Sequence, residues 1–95
     1  MLTKVLAIEW AKKNIRVNAI APGYIRTELV QGVIDGGMLP IGAIEKRTPV
    51  GRIGEVPELL GLAVYLASDE ARWVTGQTLV IDAGLTLTTS TADLR

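Results

Sequence analysis

The turn that contains Pro22, Gly23 and Thr27 is the stretch of this sequence best suited to ligand chemistry. It follows a run of residues typical of a β-strand, and open α/β sheets bind ligands beside the carboxyl ends of their strands. A purely structural interpretation explains the same residues, since Pro-Gly can simply end a strand and Thr27 can simply cap a helix. From these residues alone, both interpretations stay open.

Several kinds of active site are excluded because the chain has no His and no Cys. It can form neither a Ser-His-Asp triad nor a cysteine nucleophile, and it has no zinc site of the usual nitrogen and sulfur type. Disulfide bonds are excluded as well. The acidic residues Glu9, Glu55 and Glu58 are interpreted as charges on helix surfaces or in first helical turns. We therefore predict no catalytic residue and no metal ligand in this chain.

The charge balance of the chain argues against two classes of partner. Ten Lys or Arg residues face ten Asp or Glu residues, so the formal net charge is zero. Without a basic block, nucleic acid is not an expected partner. The apolar runs are much shorter than the roughly 18 residues that a membrane span needs, and no signal peptide opens the chain. We expect a cytoplasmic protein.

The apolar content is high for a chain of 95 residues. Hydrophobic residues make up 48%, and ten glycines come in addition. Without the two tyrosines, these residues make up about 57% of the chain, whereas the same residue types make up roughly 45–50% of a typical soluble protein. Because a small domain buries a modest share of its surface, the excess predicts exposed apolar patches that contact a partner. A well-packed small domain with a few surface leucines is the alternative.

Hydrophobic spacing and turn residues predict two long helices, two strands and a long connection between them. Pro22-Gly23 ends the first strand, Asn14 closes the first helix in a left-handed conformation, and Pro57 begins the second long helix. That second helix is apolar on two faces, which predicts burial on two sides. The predicted elements are a helix at 2–13, a strand at 15–21, short helices at 28–34 and 41–46 within the connection 24–54, a helix at 57–67 and a strand at 77–82.

The order of these elements predicts an α/β fold that is incomplete as a domain. The last strand, helix and strand form a crossover between parallel strands. Two parallel strands alone make a poor sheet, because parallel sheets need more strands and helices on both faces. The order of elements therefore predicts that the chain forms the end of a larger doubly wound parallel sheet.

Three motifs resemble the classical short-chain dehydrogenase/reductase family. The segment IRVNAIAPG at 15–23, followed by Thr27, is similar to the sixth strand and the Pro-Gly turn of that family. The segment PVGRIGE at 49–55 is similar to the entry into its last main helix, and TGQTLVID at 75–82 to its final strand. Their order and spacing cover residues 1 to about 85, and they imply the C-terminal part of a Rossmann-type domain at 1–84, with a polar tail at 85–95.

The family's catalytic motifs have no match in this chain. The Gly-rich turn GxxxGxG, the Asn-Asn-Ala-Gly stretch, the catalytic Ser and the Tyr-x-x-x-Lys pair are missing, and neither Tyr24 nor Tyr65 has a Lys four residues later. The resemblance therefore implies a C-terminal fragment of an NAD(P)-dependent oxidoreductase, beginning just beyond the Tyr-Lys pair. We expect such a fragment to be inactive alone and to bind no cofactor tightly.

The resemblance also assigns roles within the long connection. Pro22 and Gly23 would shape the turn beside the nicotinamide, the backbone of Ile25 would contact the carboxamide, and the Thr27 hydroxyl would reach the pyrophosphate of NAD or NADP. Residues 28–47 would form the substrate lid over an alcohol or carbonyl substrate. The helix face formed by Leu60, Val64 and Ala67, with the last strand, would contact another subunit, although packing within one chain explains that face too.

Two local expectations and two rival functions complete the predictions. Arg52 and Glu55 are expected to pair near the start of the last helix, and Ala83 is expected to adopt an ordinary backbone conformation where many family members have glycine. The partner of the chain would be a second copy or a complementary N-terminal half. The rival functions are a truncated paralogue that acts alone as an interaction module, and a fragment without a function of its own.

Overall fold

A computed structural model describes residues 1–87 of the chain, so most of the predicted polar tail, residues 88–95, lies outside the described part. The described part alternates helices with short strands. The elements are α1 (Leu2–Trp10), β1 (Ala19–Pro22), β2 (Ile25–Arg26), α2 (Glu28–Asp35), α3 (Ile41–Arg47), β3 (Gly54–Glu55), α4 (Val56–Ala67) and β4 (Thr78–Ile81).

Helix α1 continues into a 3₁₀ turn over Ala11–Lys13, so the helix predicted at 2–13 is confirmed as two consecutive segments. Asn14 ends it in the left-handed conformation, with φ 61° and ψ 35°. Its backbone N–H donates to the carbonyl of Ala11 at 3.0 Å. The short polar side chain of asparagine tolerates this conformation, which closes the helix as the sequence predicts.

Strands β1 and β4 pair in parallel, as the predicted crossover requires. The register runs from Ala19 opposite Thr78 to Pro22 opposite Ile81. The first strand begins later than the predicted residue 15, because its partner begins only at Thr78. The parallel pairing therefore places the carboxyl ends of β1 and β4, which are distant in the sequence, side by side.

Side-chain bonds, together with backbone bonds, hold the residues just before β1. The backbone N–H of Val17 donates to Thr75 Oγ1 at 3.1 Å. Asn18 donates from Nδ2 to the carbonyl of Val74 at 3.0 Å and accepts from the N–H of Gln77 at 3.1 Å. The backbone N–H of Gly76 also donates to the carbonyl of Val17 at 2.7 Å. The segments just before β1 and β4 are therefore hydrogen-bonded to each other, which explains why the sequence pattern of a strand extends beyond the ladder.

A second parallel pair, β2 with β3, was not predicted. Ile25 lies opposite Gly54, and Arg26 lies opposite Glu55. The backbone N–H of Gly54 also donates to the carbonyl of Tyr24 at 2.9 Å. The connection predicted as one long excursion over 24–54 is therefore tied together at both of its ends, and α2 and α3 lie between these ties.

The helices within and after the connection match the predictions closely. Thr27 caps the start of α2, and Thr48 directly follows the last residue of α3. Helix α4 begins one residue before the predicted Pro57. At each boundary stands a residue type that favours a helix end, so the neighbouring residues alone are enough to predict where the helix begins or ends.

The described residues contain few fully buried side chains. The buried ones are Ala7, Ile44, Thr48, Ile53 and Ala71. On α4, Leu60 and Val64 are 54% and 67% exposed. The expected exposed apolar surface is thus present, and the second apolar face of α4 is not covered by the rest of residues 1–87.

The helices of residues 1–87 are too short, or too polar, to span a membrane.

Candidate functional site

The predicted Pro-Gly turn lies at the carboxyl end of the β1–β4 pair. Pro22 is the exposed last residue of β1, and the N–H of Gly23 donates to the carbonyl of Ile81 at 3.0 Å. A side chain at position 23 would place its Cβ 2.7 Å from Asp82 Cβ and 3.0 Å from Asp82 Cα. Glycine is therefore required here because the two strand ends approach each other closely.

Ile25 and Thr27 follow at the start of the second strand pair and of helix α2. Ile25 is half-buried in β2. Thr27 is exposed, and its Oγ1 accepts the backbone N–H of Val30 at 3.2 Å. The structural interpretation of Thr27 as a helix cap is confirmed. That bond uses an oxygen lone pair, so the hydroxyl hydrogen can still be donated to a ligand.

A pocket of about 280 Å³ lies between the two strand pairs. Its lining includes Tyr24 and Ile25 from one side and Ile81 and Leu85 from the other. Of the four predicted cofactor-binding residues, Ile25 lines this pocket, whereas Pro22, Gly23 and Thr27 lie outside its lining. The structure thus places the four residues along one segment but does not gather them around one cavity.

The expected pair of Arg52 with Glu55 is wrong, because Arg52 contacts Glu58 instead. Arg52 donates from its two terminal nitrogens to Glu58 Oε1 and Oε2, at 2.7 and 2.8 Å. This two-point contact matches the planar guanidinium to the carboxylate. Together with the backbone N–H of Glu55, it lowers the pKa of Glu58 to about 2. The same contact raises the pKa of Arg52.

Glu55 has two other partners. Its Oε1 accepts from Arg26 Nε at 3.1 Å, and its side chain also accepts the backbone N–H of Glu58. Glu58 returns the contact, because its Oε1 accepts the N–H of Glu55 at 2.8 Å. This reciprocal capping box begins α4. Glu55 and Glu58 therefore act as helix-terminal charges, as the sequence predicts.

Asp82, which the sequence analysis did not single out, organises the end of β4. Its two carboxylate oxygens accept the N–H groups of Gly84 and Thr86, each at 3.0 Å. Hydrogen bonding to Thr86 lowers the pKa of Asp82. An Asp at the end of a strand, before Gly84, is a common turn signal that could have identified it.

The conformation expected for Ala83 is wrong. Ala83 has φ 58°, in the left-handed region that an L-residue with a side chain adopts at a cost. The carboxylate bonds of Asp82 fix the turn around Ala83, and the carbonyl of Ala83 accepts the N–H of Val50 at 3.3 Å. The turn keeps the shape that glycine would allow, although this chain has alanine there.

Within the described part of the chain, no three acidic side chains gather where they could hold a metal ion.

Comparison with known proteins identifies relatives along most of the chain. The family model described as enoyl-(acyl carrier protein) reductase matches residues 1–86. An uncharacterized short-chain type dehydrogenase/reductase of Sinorhizobium fredii is 45% identical over 83 residues, which are 87% of this chain and 15% of that protein.

Solved structures give the same result at the level of the fold. A 4-hydroxyisoleucine dehydrogenase in complex with NADH is 41% identical, with a TM-score of 0.82 over 90% of this chain and 35% of that protein. A structure of ElxO with NADP bound is 36% identical, with a TM-score of 0.81 over 90% of this chain and 35% of that protein. The Rossmann-like α/β fold with parallel strands is thereby confirmed.

Each match covers only part of the relative's length. The chain spans about a third of the length of these two solved relatives, and less of the relative from Sinorhizobium fredii. Across that span, the strands, the Pro-Gly turn and the last helix occur in the order that the three sequence motifs predict. This chain belongs to the short-chain dehydrogenase/reductase family.

Proposed function

We propose that this chain is the C-terminal part of a cytoplasmic NAD(P)-dependent oxidoreductase that transfers hydride between a nicotinamide and an alcohol or carbonyl substrate. Residues 22–27 would form one wall of the cofactor site, residues 28–47 the substrate lid, and α4 with β4 a subunit contact. The observation that carries the proposal is the position of the Pro-Gly turn at the carboxyl end of two parallel strands, with Thr27 beginning a helix directly after it.

The chemistry of this turn fits a dinucleotide. The free N–H groups and the dipole at a helix N-terminus favour phosphate oxygens. Thr27 can add a hydroxyl donor there, because its bond to Val30 uses a lone pair only. Gly23 brings the turn close to Asp82, because position 23 carries no side chain to keep the two strand ends apart. These features support the cofactor wall.

The proposed chemistry also explains why this chain would be inactive alone. When bound, the nicotinamide supplies or accepts the hydride. The proton at the substrate oxygen needs an acid or base of suitable pKa, which the family's missing Tyr-Lys pair would provide. The residues of this chain would bind and orient the cofactor and exclude water beneath the lid. The scarcity of buried side chains among residues 1–87 supports a missing partner half.

A second candidate function is a truncated paralogue that acts as an interaction module. The exposed side chains of Leu60 and Val64 favour it, since they lie four residues apart on one face of α4. The two functions differ in what they require. An interaction module needs this face alone, whereas the oxidoreductase also needs the turn at 22–27.

A chimera tests the proposed oxidoreductase. Residues 2–86 of this chain would replace the matching third of the 4-hydroxyisoleucine dehydrogenase, and NADH binding would be measured by fluorescence titration. We expect saturable binding by the chimera and none in the micromolar range by the 95-residue chain. Thr27→Val should weaken binding about tenfold or more, because one hydrogen bond to a charged group is lost.

Thr27→Asp is the decisive control, because aspartate caps a helix well but carries a negative charge. If Thr27 contacts the pyrophosphate, this variant binds NADH more weakly than Thr27→Val, whereas Thr27→Ser keeps the original affinity. If Thr27 is a cap only, Thr27→Asp binds NADH normally and the role is refuted.

Saturable micromolar binding by the 95-residue chain would refute its dependence on a partner half.

A further inference from the structure

The side chain of Arg26 connects two helices that are distant in the sequence. Its Nε donates to Glu55 Oε1 at 3.1 Å, and one terminal nitrogen donates to Gln31 Oε1 at 2.6 Å. Glu55 stands at the start of α4, and Gln31 lies in the middle of α2. A single guanidinium therefore links α2 to the start of α4 from β2, the short strand that precedes α2.

Each partner of Arg26 makes a further hydrogen bond within its own helix. Glu55 accepts the N–H of Glu58 in the capping box of α4. On the other side, Gln31 donates from Nε2 to Asp35 Oδ1 at 2.8 Å, one turn further along α2. The polar chain thus runs from the last residue of α2 to the first turn of α4.

Packing gives α2 only partial support, since Val30, Val33 and Ile34 are only partly buried. None of its eight residues is buried, and Leu29 is 78% exposed. A helix of this length is marginal in water without tertiary contacts. The bonds of Arg26, next to the cap Thr27, are therefore a main constraint on the direction of α2.

We propose that Arg26 is a positioning residue that orders helix α2 by fixing it to the capped start of α4. The proposal rests on the proposed function only where it calls the segment 28–47 a lid. In that setting, the order of the first lid helix would depend on a residue outside the lid. Arginine suits this task because its planar fork donates along two edges to two acceptors, whereas lysine presents a single ammonium group.

Nuclear magnetic resonance of the 95-residue chain tests the proposal without any cofactor. Helical carbon shifts and amide exchange would be measured for α2, α4 and the β1–β4 pair. Arg26→Leu should make exchange in α2 about threefold to tenfold faster and should also loosen the first turn of α4, because it removes the bonds to Gln31 and Glu55. The effect is modest because exposed charged contacts are individually weak. Gln31→Leu should loosen α2 alone.

Two further variants separate positioning from general stability. Arg47→Leu removes an exposed arginine at the end of α3 and should change neither α2 nor α4. The double variant Arg26→Leu/Gln31→Leu should loosen α2 by less than the sum of the two single effects, because both changes cut the same connection. Arg26→Lys should restore part of the protection in α4.

Three results would overturn the proposal. The first is unchanged exchange of α2 in Arg26→Leu, and the second is exchange in β1 and β4 that this variant accelerates as much as in α2. The third is the absence of helical shifts over residues 28–35 in the unaltered chain. Because none of these measurements involves NADH, their outcome is independent of the chimera. The positioning role can fail while the cofactor wall stands, and the reverse also holds.

Discussion

At the scale of single residues, Thr27 shows how one side chain can satisfy two interpretations of a sequence. Its position after Pro-Gly predicts either a cofactor contact or a helix cap. The structure confirms the cap through the 3.2 Å bond from Val30, yet the hydroxyl hydrogen stays available. Sequence reasoning could not separate the two roles, because both need a hydroxyl at a helix N-terminus.

The left-handed conformation of Ala83 leads to a stability prediction. In the chimera, Ala83→Gly should raise the free energy of unfolding by about 0.5–1 kcal/mol, since relief of the strain exceeds the added entropy of the unfolded chain. Ala63→Gly is the matched control in the middle of α4. It should lower the free energy of unfolding by about 1 kcal/mol. Urea denaturation would measure both, and equal signs would contradict the assignment of strain to Ala83.

At the scale of elements, the sequence predicts best those boundaries that depend on neighbouring residues. Asn14 and Thr27 mark helix ends through local backbone preferences, and both are confirmed. Strands β2 and β3 were missed because two-residue strands carry no alternation of polar and apolar residues. The partner of Arg52 was wrong because the two-point contact with Glu58 depends on the path of the backbone into α4.

The start of α4 should respond to acid. Arg52 and the N–H of Glu55 lower the pKa of Glu58 from its ordinary 4.5 to about 2. The folded state therefore binds this proton less readily than the unfolded chain, and the contribution to stability is present above about pH 4.5. It is lost as the pH falls from there towards 2. Circular dichroism of denaturant series between pH 7 and pH 2 would measure the loss.

Glu58→Gln provides the control for this pH dependence. Glutamine keeps an oxygen that can accept the N–H of Glu55 but does not titrate. The variant should have a flatter dependence of unfolding free energy on pH between 4.5 and 2, and Arg52→Gln should flatten it as well. An unchanged slope in both variants would show that the ion pair does not form in solution.

At the scale of the whole molecule, the exposed apolar surface is the dominant property of residues 1–87. Leu60, Val64 and Val80 are each more than half exposed. Apolar surface of this kind favours association in water. The high apolar content of the sequence predicts such a surface, but its location depends on which faces the β1–β4 pair leaves uncovered.

The size of the chain in solution tests this property. We expect the purified chain to self-associate, and analytical ultracentrifugation should show that Leu60→Lys/Val64→Lys lowers the average mass, because two charges would enter the contact. The double variant Glu28→Gln/Glu70→Gln changes the net charge equally at exposed polar positions and should not lower it. A monodisperse monomer of the unaltered chain would contradict the predicted partner surface.

The parallel pairing of β1 with β4 also has a consequence for synthesis on the ribosome. Ala19 lies opposite Thr78, so the sheet cannot form until nearly all of the described chain has left the exit tunnel. At a translation rate of about 5–20 residues per second, roughly 3–12 s pass between the synthesis of β1 and that of β4. Helices α2 and α3 can form during that interval, whereas the open edge of β1 is exposed to chaperones and to neighbouring nascent chains.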